Sequence, residues 1–552
     1  MRNKIIKKTF IGGIIIVLFS IVAFNSPGER YFEIAKNLDI FATLFKEVNT
    51  YYVDEINPNE LMKTGINAML MSLDPYTNYI PEDDIEDYRT MTTGQYGGIG
   101  ALIGQKNGKN MIIMPYEGFP AFKSGLKIGD EIIKIDNVDV KNKSTNEVSK
   151  LLKGQANTEM VISIKRLSED KPMEFKVMRE KITINNVPYH GMISDKIGYI
   201  KLSDFTTGAS KEVKNALEEL KSKGAEKIVL DLRDNPGGLL SEAVNVSNLF
   251  IPRGSEVVHT KGKVTDWNKE YKALDQPADT EIPLAVLTSG RSASAAEIVA
   301  GVIQDYDRGV LVGARTFGKG LVQATRPLTY NSQLKVTTAK YYIPSGRCIQ
   351  AIDYSEKTLE GGVLVVPDSL KTEFKTTNGR LVYDGGGITP DKEVENFSYA
   401  PITASLVSKG LIFDYATIYY YKHPTIAKPK EFKVSEATYL DFVKWLSDKD
   451  YDYTTKVEQT MEDLIGNSKE EKYFAEIEDQ INDLKKKIYH NKENDLQNFK
   501  TEIMQALKEE IVSRYYFRRG VVEVSFDHDP VILEAVNTLN NKDDYKVVLS
   551  KR

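Results

Sequence analysis

The sequence predicts a multidomain α+β chain. It has an α/β-layered core, an inserted strand-rich module, a helical N-terminal arm and a helical C-terminal extension. Three observations predict this. Between residues 186 and 290, short apolar strands alternate with amphipathic helices. Ahead of them, from Tyr96, the apolar period shortens from helical spacing to alternation broken by glycines. Beyond about residue 395, steps of three and four return. A length of 552 residues leaves room for roughly three or four domains of ~150 residues.

Composition excludes some classes. With 73 basic and 78 acidic residues, the net charge of −5 gives no basic field for nucleic acid. The single cysteine, Cys348, can form neither an intrachain disulfide nor a cysteine-based metal site. So few cysteines suit an oxidising envelope compartment. The N-terminus points the same way. Arg2, Lys4, Lys7 and Lys8 precede an apolar stretch at 10–24 that is interrupted only by Gly12, Gly13 and Ser20. A basic start followed by an apolar core of this length is an export signal. It lacks a clear small-residue cleavage pattern, so a short uncleaved membrane anchor is equally open. Residues 1–27 are set aside from the fold.

Taken in order, residues 28–94 carry two helical patterns. The first is Ile34, Leu38, Phe41, Leu44 and Phe45; the second is Leu61, Ile66, Met69, Leu70 and Leu73, ended by Asp74-Pro75. They suit a packing arm or a homodimer contact, or burial within one subunit. In 95–183, Gly98-Ile99-Gly100-Ala101 opens an extended segment and Met111-Ile-Ile-Met114 is a strand. The stretch from Pro120 to Asn137 reads as turn, strand, turn. Ser144-Thr-Asn-Glu147 is a capping box that starts a helix ending near Gly154, and a strand at Met160–Ile164 closes the unit. This segment resembles a PDZ domain. Gly98, Ile99, Gly100 and Ala101 fall at the carboxylate-binding loop of that family, and Pro120 to Asp136 resembles its Ala-Gly-Leu-x-x-Gly-Asp stretch. Consecutive free N–H groups there can bind a terminal carboxylate while the peptide joins the sheet edge.

Residues 184–395 hold the layered core. Strands are expected at Ile197–Leu202, Ile228–Leu232, Pro283–Leu287 and Val310–Gly313, with one helix through Val213, Ala216, Leu217 and Leu220 that stops at Gly224 and another from about Leu239 to Leu249. The stretch Lys335–Arg347 is expected to continue the same sheet. Loops at strand C-termini are where ligand sites lie. Both Pro236-Gly237-Gly238 and the serines after Leu287 fall on such loops. In 396–552, Phe474, Ile477, Ile481, Leu484 and Ile488, then Phe499, Ile503, Leu507 and Ile511, predict a helical hairpin on the core.

The chemistry lies in Ser292-Ala-Ser294-Ala-Ala-Glu297-Ile298 and Thr316-Phe-Gly-Lys319-Gly-Leu-Val-Gln323. A serine nucleophile needs a base. The five histidines, at 190, 259, 423, 490 and 528, all lie outside both stretches and outside the loop from Asp231 to Gly238. Lysine is the known alternative. Its ordinary value of ~10.4 must fall, and burial supplies that; three pKa units correspond to about 4 kcal/mol. Gly318 and Gly320 let the backbone close around Lys319, and Gln323 can hold the amine by its amide oxygen. The Ala295 N–H and one from Gly237 or Gly238 can form an oxyanion hole. Taken singly, Ser292 or Ser294 could be a helix cap, and the glycine pair a turn. Local chemistry does not choose between the two serines.

Together these motifs resemble the carboxyl-terminal processing peptidases, or tail-specific proteases, over roughly residues 30 to 395. Asp231-Leu-Arg-Asp-Asn-Pro-Gly-Gly238 and Tyr341-Tyr-Ile-Pro-Ser-Gly-Arg347 are further landmarks. The resemblance implies a crotonase-like protease core with an inserted PDZ domain. It makes Ser294 the nucleophile, Lys319 the base and Gln323 its orienter, with Gly238 and Ala295 as oxyanion donors. Ala296 departs from the serine that relatives often carry. The expectation is an exported, envelope-located serine endopeptidase, periplasmic or membrane-anchored. It would cut proteins near apolar C-terminal tails that the PDZ domain recognises, without metal, nucleotide or other cofactor. The rivals are an inactive PDZ scaffold and an acyl-transfer or hydratase-like enzyme on a related layout.

Overall fold

The computed structural model describes residues 27–357, 363–365, 367–395, 397–488 and 492–550. The segment expected as signal or anchor, residues 1–27, lies outside the described residues as far as residue 26, as does His490. Among the described residues no helix is long and apolar enough to cross a membrane. The chain divides into two units, residues 1–79 and 80–552.

In the first unit, helical spacing builds α1 (Pro27–Tyr51) and α2 (Pro58–Met71). Asn57 starts α2 by accepting the Asn59 N–H at 3.0 Å, with Pro58 at the first helical position.

The second unit opens with α3 (Ile85–Thr93) and then changes period. β1 (Gln95–Gly98), β2 (Ala101–Lys106), β3 (Lys109–Pro115) and β4 (Glu131–Ile135) follow. Next come α4 (Thr145–Leu152), β5 (Glu159–Lys165), β6 (Met173–Met178) and β7 (Glu180–Thr183). β1 pairs with β7, which closes the module on itself. The other strands form one sheet in the order β2-β3-β4-β5-β6, so β2 is an edge strand. The Ser144–Glu147 capping box forms as expected: the Glu147 carboxylate accepts the Ser144 N–H at 2.8 Å, and Ser144 Oγ accepts the Glu147 N–H at 3.3 Å. Two local readings change. Pro120–Lys123 is a single helical turn rather than an open one, because Pro120 fixes φ at its first position. β6 was not anticipated; its alternating buried and exposed residues are too polar to give a continuous apolar run.

The core begins with β8 (Tyr189–Ser194), β9 (Ile197–Lys201), α5 (Ala209–Ser222), β10 (Lys227–Asp231) and α6 (Leu240–Asn248). It continues with β11 (Glu256–Gly262), β12 (Leu284–Thr288), α7 (Ala295–Asp305) and β13 (Val310–Gly313). Its later strands include β14 (Leu321–Pro327), β15 (Gln333–Tyr342) and β16 (Lys392–Glu393). The central sheet runs β8-β9-β10-β12-β13-β16, parallel except for the β8–β9 hairpin. Its inner strands β9, β10, β12 and β13 are largely apolar and buried because both faces are covered. On β12, Leu284 and Val286 face α5, α6 and α7, whereas Ala285 and Leu287 face the other side. β15 does not continue this sheet. It pairs antiparallel with β14 and β11 in a second sheet, as its half-exposed Lys-Val-Thr-Thr-Ala-Lys pattern suits an antiparallel strand better than a fully buried one.

Beyond residue 395 the chain is helical. α8 (Leu411–Lys422) packs against α11 (Lys500–Ser525) in a separate apolar cluster, and α9 (Lys456–Glu470) and α10 (Phe474–Ile488) form a helical pair tied by Lys485 and Glu462 at 3.2 Å. α11 kinks at Phe517, which has φ 50° and ψ −151°. The last helices, α12 (Pro530–Asn540) and α13 (Lys542–Leu549), cover the second face of the central sheet through Val531, Ile532, Ala535, Leu539 and Val548.

Candidate active site

Two parallel strands, β10 and β12, end side by side, and their following loops are tied to each other. The Ser292 hydroxyl donates to the Leu232 carbonyl at 2.8 Å, and the Ala293 N–H donates to the Asn235 carbonyl at 2.9 Å. Asn235 is fully buried, and its side chain donates to the Leu202 carbonyl on the neighbouring loop at 2.8 Å. Gly237 lies so close to the serine loop that a Cβ would stand 2.7 Å from the Ala293 oxygen and 2.9 Å from Ser294 Cβ; its φ of +96° also excludes other residues. Beneath this loop, Asp231 is fully buried and meets Lys201, Tyr199 and Arg233; Arg233 in turn reaches Asp529 at 2.6 Å. Burial alone would raise the Asp231 carboxyl, but Arg233 and Lys201 outweigh it and hold the group well below the usual carboxylate range.

Ser294 sits where β12 gives way to α7, with φ 55° and ψ −112°. Such a conformation in a non-glycine residue costs on the order of 1–3 kcal/mol and persists only when the surroundings over-determine it. They do so here through Glu297. This fully buried carboxylate accepts the Ser294 N–H at 2.8 Å and the Lys319 N–H at 2.9 Å on one oxygen. On the other it accepts the Gly318 N–H and the Thr316 hydroxyl, each at 2.6 Å. Burial raises the Glu297 pKa, and the four donors oppose that. One side chain therefore fixes the serine loop and the lysine loop to each other. Tyr341, on β15, repeats the tie from the other side: its hydroxyl donates to the Lys319 carbonyl at 2.5 Å and lies 3.2 Å from that of Ser294.

Ser294, Ala295, Gly237, Gly238, Lys319 and Gln323 line one cleft of about 370 Å³. The Gln323 amide nitrogen donates to Thr337 Oγ1 at 3.2 Å. Leu240, Ile298 and Leu321 give the cleft an apolar wall. Gly98 to Ala101 do not line it. They end β1 and start β2 in the PDZ module, where the Ile99 carbonyl accepts the Ala121 N–H at 2.8 Å and that of Gly100 the Tyr116 N–H at 2.9 Å. The histidines at 190, 259, 423 and 528 are absent from the cleft lining. Among the described residues no group of histidine, cysteine, aspartate or glutamate is arranged to hold a metal ion. Reasoning from sequence missed the roles of Glu297, Tyr341 and Asn235. For Glu297 a signal existed: Ser294-Ala-Ala-Glu297 has capping-box spacing.

Comparison with known proteins agrees along the chain. Residues 196–357 match the model of peptidase family S41, 114–166 a PDZ domain, and 402–539 the "Probable PDZ-protease, C-terminal helical domain". The chain is 36% identical over 347 residues to a carboxy-terminal-processing protease of Bartonella bacilliformis, covering 62% of this chain and 78% of the relative. It is also 36% identical to a "Probable CtpA-like serine protease" of Staphylococcus aureus, over 61% of this chain and 69% of that one. The solved photosystem II D1 C-terminal processing protease shares 26% identity, covers 64% of this chain and 92% of its own, and superposes with a TM-score of 0.35. By these matches the chain belongs to the carboxy-terminal-processing proteases of peptidase family S41, and it is a serine protease with a PDZ domain and a C-terminal helical domain.

Proposed function

We propose that the chain is an exported endopeptidase that cuts proteins near their C-termini with a Ser294–Lys319 dyad. The neutral Lys319 amine takes the Ser294 hydroxyl proton as Oγ attacks the scissile carbonyl. The resulting ammonium then gives that proton to the leaving amine. Water repeats the sequence on the acyl-enzyme, with Lys319 again as base. Gln323, already held by Thr337, positions the amine. The oxyanion faces the N–H groups of Ala295, at the start of α7, and Gly238. The Gly237 N–H is engaged by Asn235 Oδ1 at 2.8 Å, so Gly238 is the donor of that loop left for substrate. Ser292 is bound by two internal contacts, to Leu232 and from the Ser289 N–H, which favours Ser294 as nucleophile.

The observation that carries this reading is the backbone of Ser294, held at a strained φ/ψ by a buried carboxylate that also holds the lysine loop. Tail recognition by the PDZ domain is supported by the edge position of β2, beside the Gly98–Ala101 loop, with Leu102 exposed on it. The core is read as crotonase-like in its layering. Envelope location rests on the basic-then-apolar N-terminus, and α1, with Ile34, Leu38, Phe41 and Leu44 exposed, is the dimer-forming candidate.

The test is incubation with an unfolded protein that ends in an apolar tail, followed by mass spectrometry of the new C-termini. Cutting by the wild type and not by Ser294→Ala or Lys319→Ala is expected; cutting that persists in either variant refutes the dyad.

A further inference from the structure

The cleft holds a second lysine that the Ser294–Lys319 chemistry does not use. On the β14–β15 ladder, Gln323 pairs with Thr337 and Thr325 with Lys335. The two pairs are two residues apart, so their side chains share a face, and the Gln323–Thr337 hydrogen bond marks that face as the one beside the catalytic groups. Lys335 thus stands one step further along, about 7 Å from Thr337 at ~3.4 Å per residue, and it lines the same cleft as Ser294. Its strand neighbour Thr325 is held by the Tyr88 hydroxyl of α3 at 2.5 Å, which braces this end of the cleft. Among the described residues no ion pair involving Lys335 is formed. Burial alone acts on it, and lowers its pKa. The acidic residue of the cleft wall is Asp204, on which burial and Arg518 act, not Lys335. An ammonium that is partly desolvated and lacks a carboxylate is costly unless an anion arrives to pair with it.

We propose that Lys335 is a specificity-determining residue that receives a carboxylate of the bound polypeptide within a few residues of the scissile bond. That carboxylate is either an Asp or Glu side chain or the α-carboxylate at the end of the chain; the ammonium recognises the same anion in both. In the second case Lys335 would set how many residues are removed. The inference rests on the peptidase reading of the cleft.

Two series of an apolar peptide with one cleavable bond test it. One series moves a Glu, or a Gln in its place, through successive positions on both sides of the bond. The other ends in a free carboxylate or a carboxamide at increasing distances beyond it. The readout is the kcat/KM ratio of the charged peptide to its neutral partner. A ratio of about tenfold or more is expected at one position in one series. It should persist in Lys335→Arg, fall toward one in Lys335→Met and invert in Lys335→Glu. Because each ratio is taken within one variant, a general loss of activity cancels. Ratios near one throughout both series for the wild type overturn the assignment, as does a preference that Lys335→Met leaves intact. In either case, cutting of the neutral peptide that vanishes in Ser294→Ala keeps the peptidase reading standing. If the wild type cuts none of these peptides, the peptidase reading and the assignment fall together.

Discussion

The catalytic cleft and the PDZ carboxylate loop solve a similar problem with different stiffness. In the proposed reading, both present backbone N–H groups at glycines to an anion. In the cleft, the loops are bound to each other: Glu297 joins the serine and lysine loops, Tyr341 joins them again, and Ser292 and Ala293 join the serine loop to that of Gly237. The PDZ loop is held locally, by the Ala121 and Tyr116 N–H groups on the Ile99 and Gly100 carbonyls, and then runs into an edge strand. Chemistry requires placement to within about half an ångström, whereas a recognition edge works by adding a strand and tolerates varied side chains. The difference teaches where mutations should act: on turnover in the first region, on substrate capture in the second.

That contrast breaks most sharply at the proposed dyad. Ser294→Ala and Lys319→Ala should each lower kcat by on the order of 10⁴ or more with little change in Tm. Next comes Glu297→Gln, which puts an amide donor where four donors converge. It should lower kcat by about 10²–10³ and also lower stability by roughly 3 kcal/mol, read by activity and chemical denaturation together. A pure loss of stability with normal kcat would mean the carboxylate does not position the reacting groups. In the PDZ loop, Gly100→Val places a side chain where even a Cβ would lie 2.5 Å from that of Phe119, at φ +69°. Its loss should be about tenfold, in KM rather than kcat, and larger on tailed proteins than on short peptides. Ser292→Ala should keep the reaction, with a stability loss of about 1–2 kcal/mol from its two internal hydrogen bonds.

Acid titration sharpens the comparison from below the cleft. The folded-state pKa of Asp231 is depressed by Arg233 and Lys201. Its stabilisation is therefore present above the ordinary Asp value of ~3.9 and is lost as pH falls below it. Asp231→Asn should lower Tm at neutral pH and flatten its fall as pH drops below about 4.

Much of this was legible in the sequence, for definable reasons. Apolar runs announced the parallel strands, and the Ser144–Glu147 capping box announced α4, because both signals are local. The meeting of the Ser294 and Gly238 loops at one cleft followed from strand ends that a layered sheet must align, whereas Gln323 reaches that cleft from within a strand of the second sheet. What stayed hidden was non-local. Glu297 has the spacing of an ordinary helix cap, and nothing in that spacing reveals two partners at Gly318 and Lys319. The same holds for Tyr341, and for β15, whose place in a second sheet depends on pairing with β11 some 80 residues earlier in the chain, as in the Thr260–Tyr341 pair. The choice of Ser294 over Ser292 needed the resemblance at first. The structure adds a physical ground, since the Ser292 hydroxyl is already engaged.

The covering of the central sheet by α12 and α13 bears on when the enzyme can exist at all. The Tyr545 hydroxyl donates to the Leu284 carbonyl at 3.2 Å and accepts the Leu284 N–H at 3.1 Å, clamping the strand that leads to Ser294 from 261 positions away. Contacts of such separation form late and slowly. While α13 is undocked, the strand that leads to Ser294 therefore lacks this clamp, so the setting of the Ser294 loop is coupled to the docking of a helix far along the chain.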